Sequence, residues 1–296
     1  MNAQLTYLVY SLLWKLVRIL PESWARGIFN QIAVTAYRRN RKRVKRLREN
    51  YRKVRPKASD EEIESMVKAG LKSAMRYWCD TFRIADWSKK RIIGTVTCSN
   101  EELLLKGASS GKGVIVALPH AGNWDHAGLY FCTKGVTVHT VAEHLKPERL
   151  FQKFLDHRER MGMKVFDIEA SVIQELEDIL NRGGLVALVA DRDLSKSGIS
   201  VEFFNARAKM PAGPALLALR TEATLITAYV AYNKTGIHIN FSGPFSLDPG
   251  LRFESESEKV SSLTQLLANQ FVRDISRDPT SWHMQQRIFI DPEVVR

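Results

Sequence analysis

Apolar positions along the first 88 residues recur at helical spacing. Leu5, Leu8, Val9, Leu12, Leu13, Leu16, Val17 and Leu20 fall on one side of a helical wheel, while Ser11, Lys15 and Arg18 lie mostly elsewhere. This predicts an amphipathic helix over 4–20. A second helix follows Pro21-Glu22-Ser23 and runs through "WARGIFNQIAVTAY" into the basic tract "RRNRKRVKRLRENYRKVRPK". Ser59 and Glu62 then form a capping box, with acidic residues in the first turn, ahead of a long helix whose apolar face is Ile63, Met66, Val67, Leu71 and Met75.

Beyond residue 88 the period changes. Short β-branched runs ("IIGTVTC", "GVIVALP", "VTVHTVA", "MKVFDI", "GLVALVAD", "ISVEFF", "ATLITAYVAY", "IHINFSG") alternate with helical patterns near 122–133, 147–161, 171–182 and 212–221, with "AKMPAGPALLAL" opening the last of these. A final helix spans roughly 256–277. Apolar strands alternating with helices predict an α/β fold: a mostly parallel or mixed central sheet flanked by helices. The expected organisation is a single domain over 1–296, with residues 1–88 as a helical cap carrying the amphipathic helix and 89–296 as the α/β core.

Composition and charge then narrow the partners. Apolar residues make up 45% of the 296, enough for a full core, and the formal net charge is +12. Such a charge favours anionic partners. The basic tract has few interleaved aromatics and no recognisable nucleic-acid motif, so nucleic acid is not expected. A membrane surface is the better match for a greasy helix beside a basic tract. Lys15 and Arg18 interrupt the first helix below the roughly 20 apolar residues needed to span a bilayer, and no signal-peptide pattern is present. The helix is expected to lie in the interface or to pack on the domain, with Tyr7, Tyr10 and Trp14 as interfacial anchors in the first case. Three widely spaced cysteines, Cys79, Cys98 and Cys132, without a CxxC pair, suit reduced thiols in the cytosol and no metal site.

Candidate chemistry sits at strand ends, where open α/β sheets bind ligands. His120 lies just past the strand "VIVAL", and of the seven histidines it alone has an aspartate, Asp125, five residues on. In the first turn of the next helix, Asp125 could face back, accept from one imidazole nitrogen and fix the tautomer of a general base. Free amides at that helix start would serve an oxyanion. A strand-end histidine that is merely hydrogen-bonded at a corner is the plainer alternative. Glu143, Arg158, and the Asp191-Arg192-Asp193 block after "LVALVA" place further charges at strand ends or nearby, suggesting a shared cleft, although each alone could be a salt bridge or a cap.

His120-Ala-Gly-Asn-Trp-Asp125 resembles the HxxxxD motif of glycerolipid-type acyltransferases. No EGTRS-like motif of the glycerophosphate branch is present. "PHAGNWDHAG", "VAEHLKPERLFQKFLDHRERMGMKVF", "LVALVADRDLSKSGISVEFFNARAKMPAGPALLAL" and "SWHMQQRIF" instead resemble the lipid A acyltransferase branch and, more narrowly, the phosphatidylinositol mannoside acyltransferases, over nearly the whole chain. The resemblance implies transfer of a fatty acyl chain from acyl-CoA to the 6-hydroxyl of a mannose on a mannosylated phosphatidylinositol. It also implies a peripheral protein at the cytoplasmic face of the plasma membrane, with acyl-CoA as co-substrate and no cofactor or metal. His120 would be the general base and Asp125 its partner, Glu143 and Arg158 would surround the acceptor sugar, Asp191-Arg192-Asp193 would wall the cleft, and Glu202, in "VEFF", is a candidate for a second carboxylate near His120. Two departures are Thr221-Glu222-Ala223, where the family usually has Thr-Gly-Ala, and the absence of a common proline from "LITAYVAY". A lipid A type acyltransferase and a non-catalytic basic membrane- or nucleic-acid-binding protein are the rival readings.

Overall fold

The computed structural model describes residues 3–109, 111–144, 146–168, 172–193 and 197–290. The chain opens with four helices, α1 (Ala3–Ile19), α2 (Glu22–Arg39), α3 (Lys42–Val54) and α4 (Asp60–Arg83), then a short α5 (Lys89–Gly94). The α/β part follows as β1 (Val96–Ser99), α6 (Glu101–Ser109), β2 (Val114–Leu118), α7 (Trp124–Thr133), β3 (Val138–Ala142), α8 (Glu148–Arg160), β4 (Lys164–Asp167), α9 (Val172–Asn181) and β5 (Leu185–Val189). A hairpin of β6 (Ile199–Phe203) and β7 (Ala206–Met210) leads into α10 (Gly213–Thr221), β8 (Thr224–Tyr232), β9 (Ile237–Ser242) and α11 (Glu256–Arg277).

Seven strands form one sheet in the order β1-β9-β8-β2-β5-β3-β4. All neighbours are parallel except β8 and β9. The sheet is therefore mixed and mostly parallel, with helices covering it. Strand β2 is buried along its whole length, as an apolar run without alternation requires. Ile115 and Ala117 join one core, and Val114, Val116 and Leu118 join the core on the opposite face. The first core also takes in Val44, Leu47 and Tyr51 of α3 and Ile63, Val67 and Leu71 of α4.

The basic tract folds as α3 because Val44, Leu47, Tyr51 and Val54 recur on one buried face while its charges face water. Gly70 lets α4 approach it closely: a Cβ there would collide with the Tyr51 ring and hydroxyl. The capping box at Ser59 is present in both directions, Glu62 N donating to Ser59 Oγ at 3.2 Å and Ser59 N to Glu62 Oε2 at 2.7 Å.

Several expectations shift. "IIGTVTC" is half helix: Ile92 and Ile93 belong to α5, and only 96–99 pair with β9. "AKMPAGPALLAL" begins in β7, whose hairpin partner β6 lies outside the main sheet. Residue 171 of the helical pattern 171–182 lies outside the described residues. Trp14 is not an interfacial anchor. It is 3% exposed, donates from Nε1 to Phe82 O at 3.0 Å and packs against Phe82 and Phe154. It docks α1 on α4 and α8, helped by an Arg18–Asp86 ion pair. Leu5, Leu8, Leu12, Leu13, Leu16 and Ile19 remain exposed on the far side. No helix among the described residues is long and apolar enough to cross a membrane.

Glu222, the departure from glycine, is the C-cap of α10 and adopts φ 54, the left-handed conformation that a Cβ penalises. Replacing Glu222 by Gly should stabilise the fold by roughly 0.5–1 kcal/mol in chemical denaturation, less whatever its exposed contact with Lys112 contributes.

His126 is a packing residue of α7, 1% exposed, edge-on to Trp87 and near Thr95 Oγ1. Burial lowers its pKa from 6.5 to about 4. The unfolded chain thus binds a proton that the folded chain refuses between these values. Stability is full above about pH 6.5 and falls as pH drops toward 4, by on the order of 3 kcal/mol from this group. Urea titrations at stepwise pH should show that slope, and it should be shallower in His126→Gln.

Candidate active site

The site grows from the register of two parallel strands. Leu118 of β2 lies opposite Val189 of β5. Continuing two residues past both strands brings His120 opposite Asp191. Asp191 Oδ1 is 2.5 Å from His120 Nδ1, and its Oδ2 accepts from His120 N at 3.1 Å and from Trp282 Nε1 at 2.8 Å. Asp191 is fully buried. Burial alone would raise its pKa, but His120 beside it and the donors from Trp282 and the His120 amide hold the carboxyl below its usual range. An ionised Asp191 fixes the proton on Nδ1 and leaves Nε2 as the basic nitrogen of a partly exposed ring.

The histidine corner is held by the tail of the chain. His283 N donates to His120 O at 2.8 Å, Gly122 N donates to Ser281 O at 2.8 Å, and Ala121 bridges Trp282. Gly122 has φ 59, and a Cβ there would collide with the Val230 carbonyl, so only glycine makes this turn. The tail is gripped in turn by α3: Asn50 Nδ2 donates to Met284 O at 2.8 Å and Tyr51 Oη to Trp282 O at 3.1 Å. His283 itself shares a 2.8 Å hydrogen bond between Nε2 and Ser73 Oγ. Burial and the nearby His120 push its pKa down to about 3, so it is neutral at ordinary pH.

Asp125 does not face His120. It sits in the first turn of α7, where Asn123 caps the helix by accepting from His126 N at 2.9 Å. Its carboxylate points to α4 and α8, accepting from Tyr77 Oη at 2.9 Å and from Arg158 Nε at 2.8 Å. The expected His–Asp pair of the motif is therefore replaced by His120–Asp191, and Asp125 serves a buried Tyr77–Asp125–Arg158 network instead. The physical reason is direction: with the corner turned at Gly122, the first turn of α7 aims the Asp125 side chain away from the strand end. Trp124 links the two systems, edge-on to His120 at 5.6 Å and stacked on Tyr77 at 4.2 Å between ring centres. Asp125 also raises the Arg158 pKa despite its burial, so this cation stays charged.

Of the other predicted residues, Arg192 and Glu143 come together at the cleft rim, with Arg192 Nη2 3.4 Å from Glu143 Oε2 and Nη1 bonded to Gln286. Asp193 is tied to β7 through its amide, which donates to Lys209 O at 2.8 Å. Glu202 is not beside His120. It alternates with buried Val201 and Phe203, faces solvent across from Arg207, and its main chain is clasped by Gln265. The carboxylate that reaches His120 is Asp191, expected only as a cleft wall. Trp282, Ser73, His283 and Tyr77 were not singled out at all. Position in "SWHMQQRIF" was the only available signal for two of them.

Behind Trp124 lies a narrow cavity of about 90 Å³ between the sheet and α7. Val116, Leu118, Phe131, Met163, Ala187 and Phe241 line it, and Asp125 and Arg158 also border it. Trp124 stands between this apolar slot and His120, and the slot suits part of an alkyl chain. Replacing Asp125 by Ala would leave the Tyr77 hydroxyl buried, and the half-buried Arg158 guanidinium, without their carboxylate. The expected loss is about 3 kcal/mol or more, measurable as a lowered midpoint in urea, whereas Asp193→Ala should move that midpoint far less.

Comparison with known proteins places this geometry in a family. The family described as bacterial lipid A biosynthesis acyltransferase matches residues 2–290. A protein of Mycolicibacterium smegmatis named phosphatidylinositol mannoside acyltransferase is 33% identical over 289 residues, covering 97% of this chain and 92% of that protein. Proteins of the same name from two Mycobacterium tuberculosis strains, H37Rv and CDC 1551, are each 33% identical over 282 residues, covering 94% of this chain and 86% of theirs. With nearly its whole length matched, and a carboxylate-oriented histidine at the carboxyl edge of its sheet, the chain belongs to the bacterial lipid A biosynthesis acyltransferase family.

Proposed function

We propose that this acyltransferase moves a fatty acyl chain from acyl-CoA to the 6-hydroxyl of a mannose on a phosphatidylinositol mannoside, at the cytoplasmic face of the plasma membrane. The observation that carries the reading is the His120–Asp191 pair, with an apolar cavity on the far side of Trp124. The names of the relatives supply the acceptor.

In this mechanism His120 Nε2 takes the proton from the mannose hydroxyl as that oxygen attacks the thioester carbon. Asp191, already ionised, stabilises the imidazolium. The C–S bond breaks, and the proton passes from His120 to the departing thiolate. General-base assistance contributes typically about 10²–10⁴-fold. The tetrahedral oxyanion finds donors in the Trp124 and Asp125 amides at the start of α7, since His126 N is taken by the Asn123 cap. Gly122 N is committed to Ser281 O and does not serve. The cavity behind Trp124 receives the acyl chain near its thioester. Glu143 and Arg192 at the rim, and Arg158 beside the cavity, offer charge-assisted hydrogen bonds to sugar hydroxyls or to the phosphates of the donor. The mechanism needs no metal ion, because coenzyme A is a good leaving group. The exposed apolar side of α1, with the basic surface of α3 nearby, suits an anionic leaflet.

A transfer assay with radiolabelled acyl-CoA and purified mannosylated phosphatidylinositol, with lipid A precursor as the competing acceptor, tests the reading. Label should enter the mannoside and not the lipid A precursor. The reverse result would reassign the acceptor. His120→Ala should lose at least about a hundredfold in kcat, and Asp191→Asn should fall comparably through the wrong imidazole tautomer. Near-wild-type turnover in His120→Ala would refute the base assignment.

A further inference from the structure

A second feature lies outside the catalytic pocket. Along α2, Trp24, Ile28 and Ile32 recur every fourth residue and are 69%, 48% and 46% exposed, an apolar stripe beside the buried row of Ala25, Phe29 and Ala33. The stripe forms one wall of an open groove of about 1070 Å³. Its floor includes Val44 of α3 and Leu71 and Met75 of α4. Exposed apolar surface of this extent on a protein this charged marks a binding surface.

The groove has one electrostatic sign. Arg39, Arg41, Lys42 and Arg43 line it, and no acidic residue does. These four cations are exposed and form no ion pair among the described residues. An apolar trough bordered by four unneutralised cations is complementary to a molecule that is greasy along its length and anionic at one point. Nucleic acid fits the cations but not the trough. The groove is also continuous in sequence with the exposed apolar side of α1, joined by only Leu20 and Pro21. Its wall further includes Gln285, two residues past His283, whose amide holds the His120 carbonyl. Ser73, the side-chain partner of His283, lies on α4 between Leu71 and Met75 of the groove floor. The groove and the catalytic pocket therefore share the tail strap and one stretch of α4.

We infer that this groove seats a single anionic phospholipid from the membrane. One acyl chain lies along Trp24, Ile28 and Ile32, and the phosphodiester sits among Arg39, Arg41, Lys42 and Arg43. Taken with the acceptor proposed above, and resting on that reading for the identity of the headgroup alone, the seated lipid is the phosphatidylinositol part of the acceptor. Its sugar is then presented across the tail strap to His120. The acyl donor and the lipid acceptor would thus enter from different sides of the histidine, which keeps two alkyl chains from competing for one slot.

The test uses the full chain with phosphatidylcholine vesicles that carry a minority of phosphatidylinositol bearing a photoreactive group in one acyl chain. After irradiation, adducts should map to residues 24–36. In Ile28→Glu/Ile32→Glu those adducts should fall by about tenfold or more, as two charges on the apolar stripe would predict. In Arg41→Ser/Lys42→Ser/Arg43→Ser the phosphatidylinositol adducts should fall by a similar factor, and those of an equally labelled phosphatidylcholine should not. Vesicle pelleting through α1 should persist in both variants. Adducts confined to α1, equal labelling in the variants, or crosslinks joining residues 24–36 of two copies of the chain would overturn the proposal. Groove labelling together with a failure to acylate mannosylated phosphatidylinositol would support the lipid groove and sink only the acceptor assignment.

Discussion

A carboxylate with no solvent exposure is the point on which the structure turns. Removing an ionised Asp191 from water is costly by several kcal/mol unless each oxygen is satisfied. Three donors meet it: the Nδ1 and amide of His120 and the indole of Trp282. These donors come from two separate constraints. The histidine is delivered by the pairing of β2 with β5, and the indole by the tail after α11. The carboxylate therefore does two things. It orients the imidazole, and it makes the end of β2, the end of β5 and the tail depend on one another.

The N-terminal helices belong to this arrangement because they hold the tail. Asn50 and Tyr51 of the basic helix take up the tail carbonyls, and Ser73 of α4 takes up the His283 ring. Tyr77, one turn further along α4, reaches the aspartate of the motif. The helical cap is thus a direct neighbour of the candidate active site. Apolar contacts join it to the sheet in one core, from Leu47 and Ile63 through to Ile115 and Val186. What the cap leaves uncovered is equally specific: the outer side of α1 and the stripe along α2. Those surfaces and the unpaired arginines beside them are costly for a protein in water and suited to one at a lipid interface.

The motif spacing between His120 and Asp125 has a structural meaning other than a hydrogen bond. Both residues frame the same corner, one on each side of the glycine turn. Trp124 stands between them, touching the histidine with its edge and Tyr77 with its face. Asp125 keeps Arg158 in place beside the apolar cavity.

Local pattern alone determined a good deal of this protein. Uninterrupted apolar runs identified buried strands such as β2, and alternation with helices identified a mostly parallel sheet. The Ser59–Glu62 box marked the start of α4. A histidine at a strand end marked the corner of the candidate site, because strand ends at the carboxyl edge lie at the sheet surface wherever the strands pair. These features depend on residues within a few positions of one another. The partner of His120 does not. Asp191 is 71 residues away, and only the parallel register of β2 with β5 sets them opposite. Side-chain direction was equally out of reach. The turn at Gly122 decided that Asp125 faces Arg158, strand alternation within an isolated hairpin turned Glu202 to solvent, and packing on α4 and α8 buried Trp14. Spacing along the chain places a residue at a corner, but which neighbour it meets there is decided by elements that arrive from elsewhere in the sequence.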